Sequence, residues 1–347
     1  MNKEKLGFGI IGCGMISRWH AEAISAADKG FLVGVADKNA ENAEAFAKEH
    51  GCAVFSDADE LLSSDEIDVV CICVPSGLHA MFAVKAAEAG KHFVVEKPMA
   101  ITKEQLDNIA EACEKNGVKG CVISQLRFSQ SVQTVKNAID SGLLGDIVFV
   151  DLKMKYYRTP EYFAASPWKG TFAMDGGGAL MNQGIHGIDL IQYLAGPVIS
   201  VSGVCKTMVH SIEVEDTASL TLEFANGAVG AVTATTSVPP GYPRVIEISG
   251  TKGTVSLMED VITAWDIEGV PAPGPLSESV ASASHNDPKA FSAEKHKMQI
   301  LDMIEAVHSN REPSVGIIDG SRAVDVILAA YEAGRSGEKV YIAERHK

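Results

Sequence analysis

The chain has 347 residues, 46% of them hydrophobic and 22% charged, and a formal net charge of -15. That length accommodates two sizeable cores, and the composition is that of an ordinary folded enzyme. The negative charge argues against nucleic acid and anionic membranes as partners, and no apolar run reaches transmembrane length.

The first strand is predicted over residues 6–11, and the N-terminal segment is read as this strand rather than as a secretory leader. It runs into Gly12-Cys13-Gly14-Met15-Ile16-Ser17, where a Gly-x-Gly-x-x-Gly fingerprint would carry a third glycine at Ser17. A tight turn at Gly12 and Gly14 lets a pyrophosphate rest on the N-terminus of the next helix. A second strand over 31–36 ends at Asp37, twenty residues past Ser17. There an acid hydrogen-bonds an adenosine ribose, which favours NAD over NADP because a carboxylate repels the 2'-phosphate. Lys38 follows and partly offsets that repulsion. Further strands are expected at 68–74, 92–95 and 119–124. VVCICV is continuously apolar, as a parallel strand covered on both faces must be. A helix over 78–89 stops at Gly90. Another starts at Thr102 with Gln105 three residues on, a capping-box spacing, and ends at Gly117. Repeated strand–helix units imply a doubly wound parallel sheet. The seven cysteines, Cys13, Cys52, Cys71, Cys73, Cys113, Cys121 and Cys205, include no Cys-x-x-Cys. They read as small buried groups of a reducing compartment, so the cytoplasm is expected and no metal site.

After about residue 125 the pattern changes. A helix is predicted over 132–141. Alternation at Val148, Val150, Leu152, Met154 and Tyr156 then gives a half-buried strand. ASLTLEF and AVGAVTATT flank Asn226-Gly227, a hairpin turn, and strands follow over 244–249, 254–258 and 262–266. A loop is expected over 268–290, then helices over 293–308 and 321–335. The expected fold is α/β: a Rossmann domain over residues 1–124, and an α+β domain with an open, mainly antiparallel sheet over 125–347.

Two places carry candidate chemistry. Glu96-Lys97-Pro98 sets a lysine at the carboxyl edge of the parallel sheet, where ligands bind, on a turn stiffened by proline. In Asp175-Gly-Gly-Gly-Ala-Leu-Met-Asn182-Gln-Gly-Ile-His186-Gly-Ile-Asp189, the glycines are expected to let backbone approach a ligand. Asn182 and His186 share a helical face, and Asp189 is placed to orient His186 as a base.

GCGMIS, VPSGLHA, EKP, the DGGGALMNQGIHGIDL block and the terminal REPSV…YEAG region resemble the Gfo/Idh/MocA family, glucose-fructose oxidoreductase, inositol dehydrogenase and their relatives. The resemblance spans nearly the whole chain. It implies NAD(P)-dependent hydride transfer with a secondary alcohol of a sugar, cyclitol, glycoside or nucleotide-sugar. The family lysine falls on Lys97 and the family catalytic histidine on His186. Asn182 stands where many members have Asp; it cannot take a proton and is expected to orient a substrate hydroxyl, a pattern similar to the subgroup acting on hexose units. The resemblance adds Val74, Pro75, Ser76, His79, Glu96, Gln125, Trp168 and Lys169 on the cofactor side, with Cys13, Met15 and Ile16 from the glycine turn. It puts Arg127 on the cofactor side and toward substrate, Lys97, Asn182 and His186 toward substrate, and Asp287 and His296 near a pocket-shaping region; Tyr156 opens an aromatic segment whose rings are expected to stack on a sugar face. Tyr331 reads as packing. A homodimer or homotetramer is expected, because an open sheet exposes a face that self-association buries. Two other readings are an enzyme whose tightly held cofactor cycles between two substrates, and a dinucleotide-binding sensor without catalysis, against which Lys97 and His186 both stand.

Overall fold

The computed structural model describes residues 4–274 and 293–344, which form two compact units. The first runs to Gln125 and takes up residues 293–321 again; the remaining described residues make the second. In the first, strands β1 (Leu6–Ile11), β2 (Gly30–Ala36), β3 (Ala53–Val54), β4 (Val69–Ile72), β5 (His92–Val95) and β6 (Gly120–Val122) alternate with helices α1 (Met15–Ser25), α2 (Ala40–His50), α3 (Ala58–Ser63), α4 (His79–Glu88) and α5 (Lys103–Asn116). In the second, α6 (Gln130–Asp140), β7 (Ile147–Lys155), α7 (Pro160–Ala164) and α8 (Ile185–Ala195) precede β8 (Val198–Lys206), β9 (Thr217–Phe224), β10 (Val229–Thr235), β11 (Val245–Gly250), β12 (Gly253–Met258) and β13 (Val261–Ile267). Helix α9 (Ala293–His308) follows in the first unit, α10 (Ile317–Ser336) begins there, and β14 (Val340–Tyr341) belongs to the second.

The first sheet is wholly parallel in the order β3-β2-β1-β4-β5-β6. This is the doubly wound dinucleotide-binding order, with its switch point between β1 and β4. Every residue of β1 and β4 is buried, as expected for strands with helices on both faces. Thr102 caps α5 through the Gln105 amide at 3.2 Å, while the Gln105 side chain accepts from Ile101 N at 3.0 Å, one residue earlier than a standard box. Helix α9 does not follow the sequence expectation that residues 125–347 form one domain. Its Ile300, Met303 and Ile304 join Phe8, Ile10, Ile24 and Val35 in one core, and Gln299 accepts from Ser124 N at 2.9 Å. An amphipathic stripe says that a helix must be covered; it does not say by which sheet.

The second sheet has eight strands in the order β13-β12-β11-β7-β10-β9-β8-β14. All its pairings are antiparallel except β7 with β10. Its alternation is visible in β9, which buries Ala218, Leu220, Leu222 and Phe224 and turns the intervening residues outward. The predicted Asn226-Gly227 turn joins β9 to β10, with Gly227 at φ 87°. Helix α8 lies close on β7, because a Cβ on Gly187 would come within 2.6 Å of Met154 Sδ. The expected 268–290 loop lies outside the described residues from 275 on, as does Asp287.

Candidate active site

Gly12 has φ 95°, and a Cβ there would stand 2.6 Å from the Cys73 carbonyl oxygen. Only glycine fits this turn. Gly14 opens α1, has no side-chain cap, and faces open space where its Cβ would be. The uncapped first-turn amides and the room above them suit a pyrophosphate. Ser17 replaces the third glycine of the fingerprint and folds back onto the Gly14 carbonyl at 2.5 Å. Asp37 accepts from Cys13 N at 2.7 Å and from Asn39 N at 2.8 Å. The residue predicted to hold a ribose therefore also fixes the glycine turn, leaving carboxylate lone pairs for a ligand. Burial and then Asp37 push the Cys13 thiol up to about 12. All seven cysteines are free thiols.

Lys97 is the single residue between 93 and 101 that is not buried. The turn carrying it is braced from below. His79 is 1% exposed, and its ring nitrogens meet the Pro98 carbonyl at 2.6 Å and the Val74 carbonyl at 2.8 Å. Burial lowers its pKa, although both carbonyls favour the protonated ring. His79, expected on the cofactor side, is thus a strut between the β4 and β5 loops. Glu96 is buried too: it meets His20 Nε2 at 2.9 Å and accepts from Lys97 N at 3.3 Å. His296 Nε2 stands 3.5 Å from the same carboxylate, close enough for charge but long for a hydrogen bond. Burial pushes Glu96 up, but His20 and His296 outweigh it and hold the carboxyl well below its ordinary range. Burial keeps His20 toward the neutral form. Ligand atoms of the three groups lie within 4.8 Å of one another. A tetrahedral zinc site would hold its ligand atoms about 3.4 Å apart, and the 2.9 Å His20–Glu96 contact is a hydrogen bond. His296 sits in this network of the first unit.

In the second unit, the glycine block leads into a π-helical segment, Ala179–Gly184, continuous with α8. Such segments are rare and occur often at functional sites. From 175 to 192 every residue is buried except Asn182, Gln183 and His186. Asn182 donates to Asp175, and its Oδ1 accepts from Gln183 Nε2 at 2.9 Å. Arg158 donates to Gln183 Oε1 at 2.7 Å, and Gln183 donates to the Tyr162 hydroxyl at 3.1 Å. The predicted Asn182–His186 face is therefore one accessible face, with Gln183 added and its polar groups fixed. Asp189 does not fit the expected role of orienting His186. Both its oxygens accept from Arg127, at 2.8 and 2.6 Å.

The glycines serve the protein itself. A Cβ on Gly177 would lie 1.9 Å from the Tyr331 hydroxyl, and one on Gly178 would lie 1.8 Å from the Glu215 carbonyl oxygen. The Glu215 carboxylate accepts from Gly178 N at 3.0 Å, Leu180 N at 2.7 Å and the Tyr331 hydroxyl at 3.0 Å. Burial still dominates and carries this carboxyl up to about 7. Neighbouring Asp216 is also pushed up by burial, but the amides of His210, Val209 and Met208 outweigh that and hold it below its usual range.

Residues 6–124 match the model of the oxidoreductase family with an NAD-binding Rossmann fold, and residues 132–256 match the GFO/IDH/MocA C-terminal domain. The chain belongs to the GFO/IDH/MocA family. It is similar to the WlbA dehydrogenase of Bordetella pertussis, solved with NADH and UDP-GlcNAcA, at 32% identity and a TM-score of 0.88 over 98% of this chain and 99% of that one. It is 28% identical to scyllo-inositol 2-dehydrogenase (NAD(+)) of Bacillus subtilis, over 96% of this chain and 95% of the relative. Levoglucosan dehydrogenase of Pseudarthrobacter phenanthrenivorans is 29% identical over 73% of each chain. As a GFO/IDH/MocA protein, the chain is an NAD(P)-dependent dehydrogenase acting on an alcohol group.

Other expected family positions differ in setting. Arg127, expected toward substrate, is 5% exposed; besides its ion pair with Asp189 it stands 4.9 Å over the Tyr193 ring. Tyr156 is buried, and burial pushes its phenol up to about 12. Gln125 and Ser76 are buried, while Trp168 and Lys169 are half-buried. Lys169 Nζ sits 3.8 Å over the Tyr162 ring, and burial lowers its pKa. A cavity of about 820 Å³ in the second unit is lined by Lys169, Tyr157, Phe163, His210 and Glu213 among others, but by neither Asn182 nor His186. Sequence reading did not place Gln183 or Glu215 in this hydrogen-bonded cluster, and it took Tyr331 as packing. Their only sequence signal is the glycine run that makes room for two of them. No helix among the described residues is long and apolar enough to cross a membrane.

Proposed function

We propose that the protein oxidises a secondary alcohol of a sugar, cyclitol, glycoside or nucleotide-linked sugar with NAD, using His186 as general base and Lys97 as hydrogen-bond donor to the reacting oxygen. The observation that carries this reading is selective exposure. Lys97 stands alone in a buried stretch, and Asn182, Gln183 and His186 stand alone in another. Gly12, Gly14 and the first amides of α1 are the groups for a pyrophosphate, and Asp37 for the adenosine ribose, which favours NAD. Bound nicotinamide supplies the carbon that accepts the hydride.

The hydroxyl proton passes to His186, the electrons of the neighbouring C–H bond leave as hydride, and a carbonyl forms. The Lys97 ammonium stabilises the alkoxide that develops on that oxygen. Each residue is worth roughly 10²–10⁴-fold in rate. Asn182 is already tied to Asp175 and Gln183; its remaining hydrogen-bonding capacity orients a substrate hydroxyl. The sugar class is carried by the relatives: one is named for scyllo-inositol, one for levoglucosan, and one was solved with UDP-GlcNAcA. The test is absorbance of reduced nicotinamide, with NAD or NADP and a panel of myo-inositol, levoglucosan, free hexoses and UDP-GlcNAcA. Enzyme is used at single-turnover concentration, so that a retained cofactor also registers. Silence across the panel with intact NAD binding would overturn this substrate assignment and shift weight to a substrate outside the panel, a closed redox cycle of retained cofactor, or a non-catalytic sensor.

Apolar residues exposed on the second sheet support self-association. Phe149 and Val229 are register partners on β7 and β10 and are 37% and 41% exposed, and Val204 is 52% exposed. The proposal is a homodimer or homotetramer; a light-scattering mass of one 36.8 kDa chain would contradict it.

A further inference from the structure

We infer that Glu215 and Tyr331 form a clamp that positions the face carrying Asn182 and His186, which makes them positioning residues for the reaction. The inference rests on the role proposed above for that face. Three consecutive amides at the start of the π-helical segment bind a single residue. Gly178 N and Leu180 N donate to the Glu215 carboxylate, and Ala179 N donates to the Glu215 backbone oxygen at 2.9 Å. The first amides of a helix have no partner within it, so whatever accepts them fixes where the helix starts and which way it faces. An ordinary cap is a local Ser, Thr, Asn or Asp. Here Gly178, which precedes the segment, has no side chain to offer, and the acceptor is a buried glutamate 37 residues away.

Tyr331 of α10 completes the arrangement by donating to the same carboxylate oxygen as Leu180. Gly177 and Gly178 are the two positions at which any Cβ would collide with the clamp. Asn182 and His186 lie two and six residues beyond Leu180 on the same continuous helical run. A carboxyl group that accepts from three donors tolerates little displacement, so it can hold the accessible face in one orientation.

The test compares Glu215→Gln, Tyr331→Phe, His186→Ala and the double variant Glu215→Gln/His186→Ala. It reads hydrogen–deuterium exchange over 177–187, NADH affinity, and single-turnover rate with the members of the sugar panel. The clamp predicts that Glu215→Gln and Tyr331→Phe speed exchange over 177–187 by about tenfold, the value of one hydrogen bond, without changing exchange in 6–36 or NADH affinity. It predicts a similar fall in turnover rate with KM for NAD unchanged, and no further fall when Glu215→Gln is added to His186→Ala. Unchanged exchange in both single variants, or a loss that multiplies fully with that of His186→Ala, would overturn it. Tyr331→Phe keeps the test decisive if Glu215→Gln fails to fold. Full turnover in His186→Ala would sink the functional reading instead, and the exchange data would still decide whether the clamp orders the segment.

Discussion

Replacing Glu215 by glutamine should change how stability depends on pH, and the sign follows from burial. In the folded chain this carboxyl rises from 4.5 to about 7, with burial as the largest cause, opposed by the Leu180 and Gly178 amides and the Tyr331 hydroxyl. Between those two values the folded state keeps a proton that the unfolded chain has released. The stabilisation from this group is therefore fully present below pH 4.5 and is lost as pH rises through about 7. At about 1.36 kcal/mol per pKa unit, the loss is roughly 3 kcal/mol. Glutamine does not titrate and loses none of it. Its amide does turn one N–H toward a donor, at a pH-independent cost of about 1–3 kcal/mol. The wild type should thus exceed Glu215→Gln in stability by about 1–3 kcal/mol at pH 4.5, and the loss of roughly 3 kcal/mol by pH 8 should close that gap or reverse it. Urea unfolding of both proteins at several pH values measures the gap directly. A gap that stays constant with pH would refute the reasoning.

Other substitutions test the rest of the framework. Gly12→Ala sets a Cβ 2.6 Å from the Cys73 carbonyl at φ 95°; NADH affinity measured by calorimetry should fall at least about tenfold, since a left-handed alanine alone costs roughly 1–2 kcal/mol. His20→Ala removes the 2.9 Å hydrogen-bond partner of buried Glu96 and should cost about 1.5–3 kcal/mol, visible as a thermal midpoint lower by roughly 5 °C. Asp189→Asn leaves the buried Arg127 guanidinium without its bidentate carboxylate and should cost a similar 3–5 kcal/mol or so. The double change Arg127→Met/Asp189→Leu should recover most of that stability in urea.

What the sequence discloses depends on how far apart the interacting residues lie. The glycine turn, Asp37 and the parallel strands are legible because a strand, its turn and the next strand are contiguous, and the physics of phosphate binding acts over a few residues. Lys97 is legible because it directly follows a buried strand. Asp189 shows the limit of local spacing. Three residues from His186, it is within reach of that ring, yet its oxygens are taken by Arg127 from 62 positions away. The glycines before Ala179 fit both a ligand's approach and a neighbour's, and only the fold shows Tyr331 and Glu215 in that space. Helix α9 presents an ordinary apolar stripe, and nothing local tells that it returns to the first sheet. Strand β8 escapes reading because Ser200, Ser202, Gly203 and Lys206 dilute its alternation.

The most direct test of the proposed chemistry is single-turnover hydride transfer in Lys97→Ala and His186→Ala, both checked for unchanged NADH binding and followed by nicotinamide absorbance with the substrate found in the panel. The account predicts that each variant binds NADH as the wild type does and transfers hydride roughly 10²–10⁴-fold more slowly. Wild-type rates in either variant would remove that residue from the mechanism, and wild-type rates in both would contradict the proposed active site.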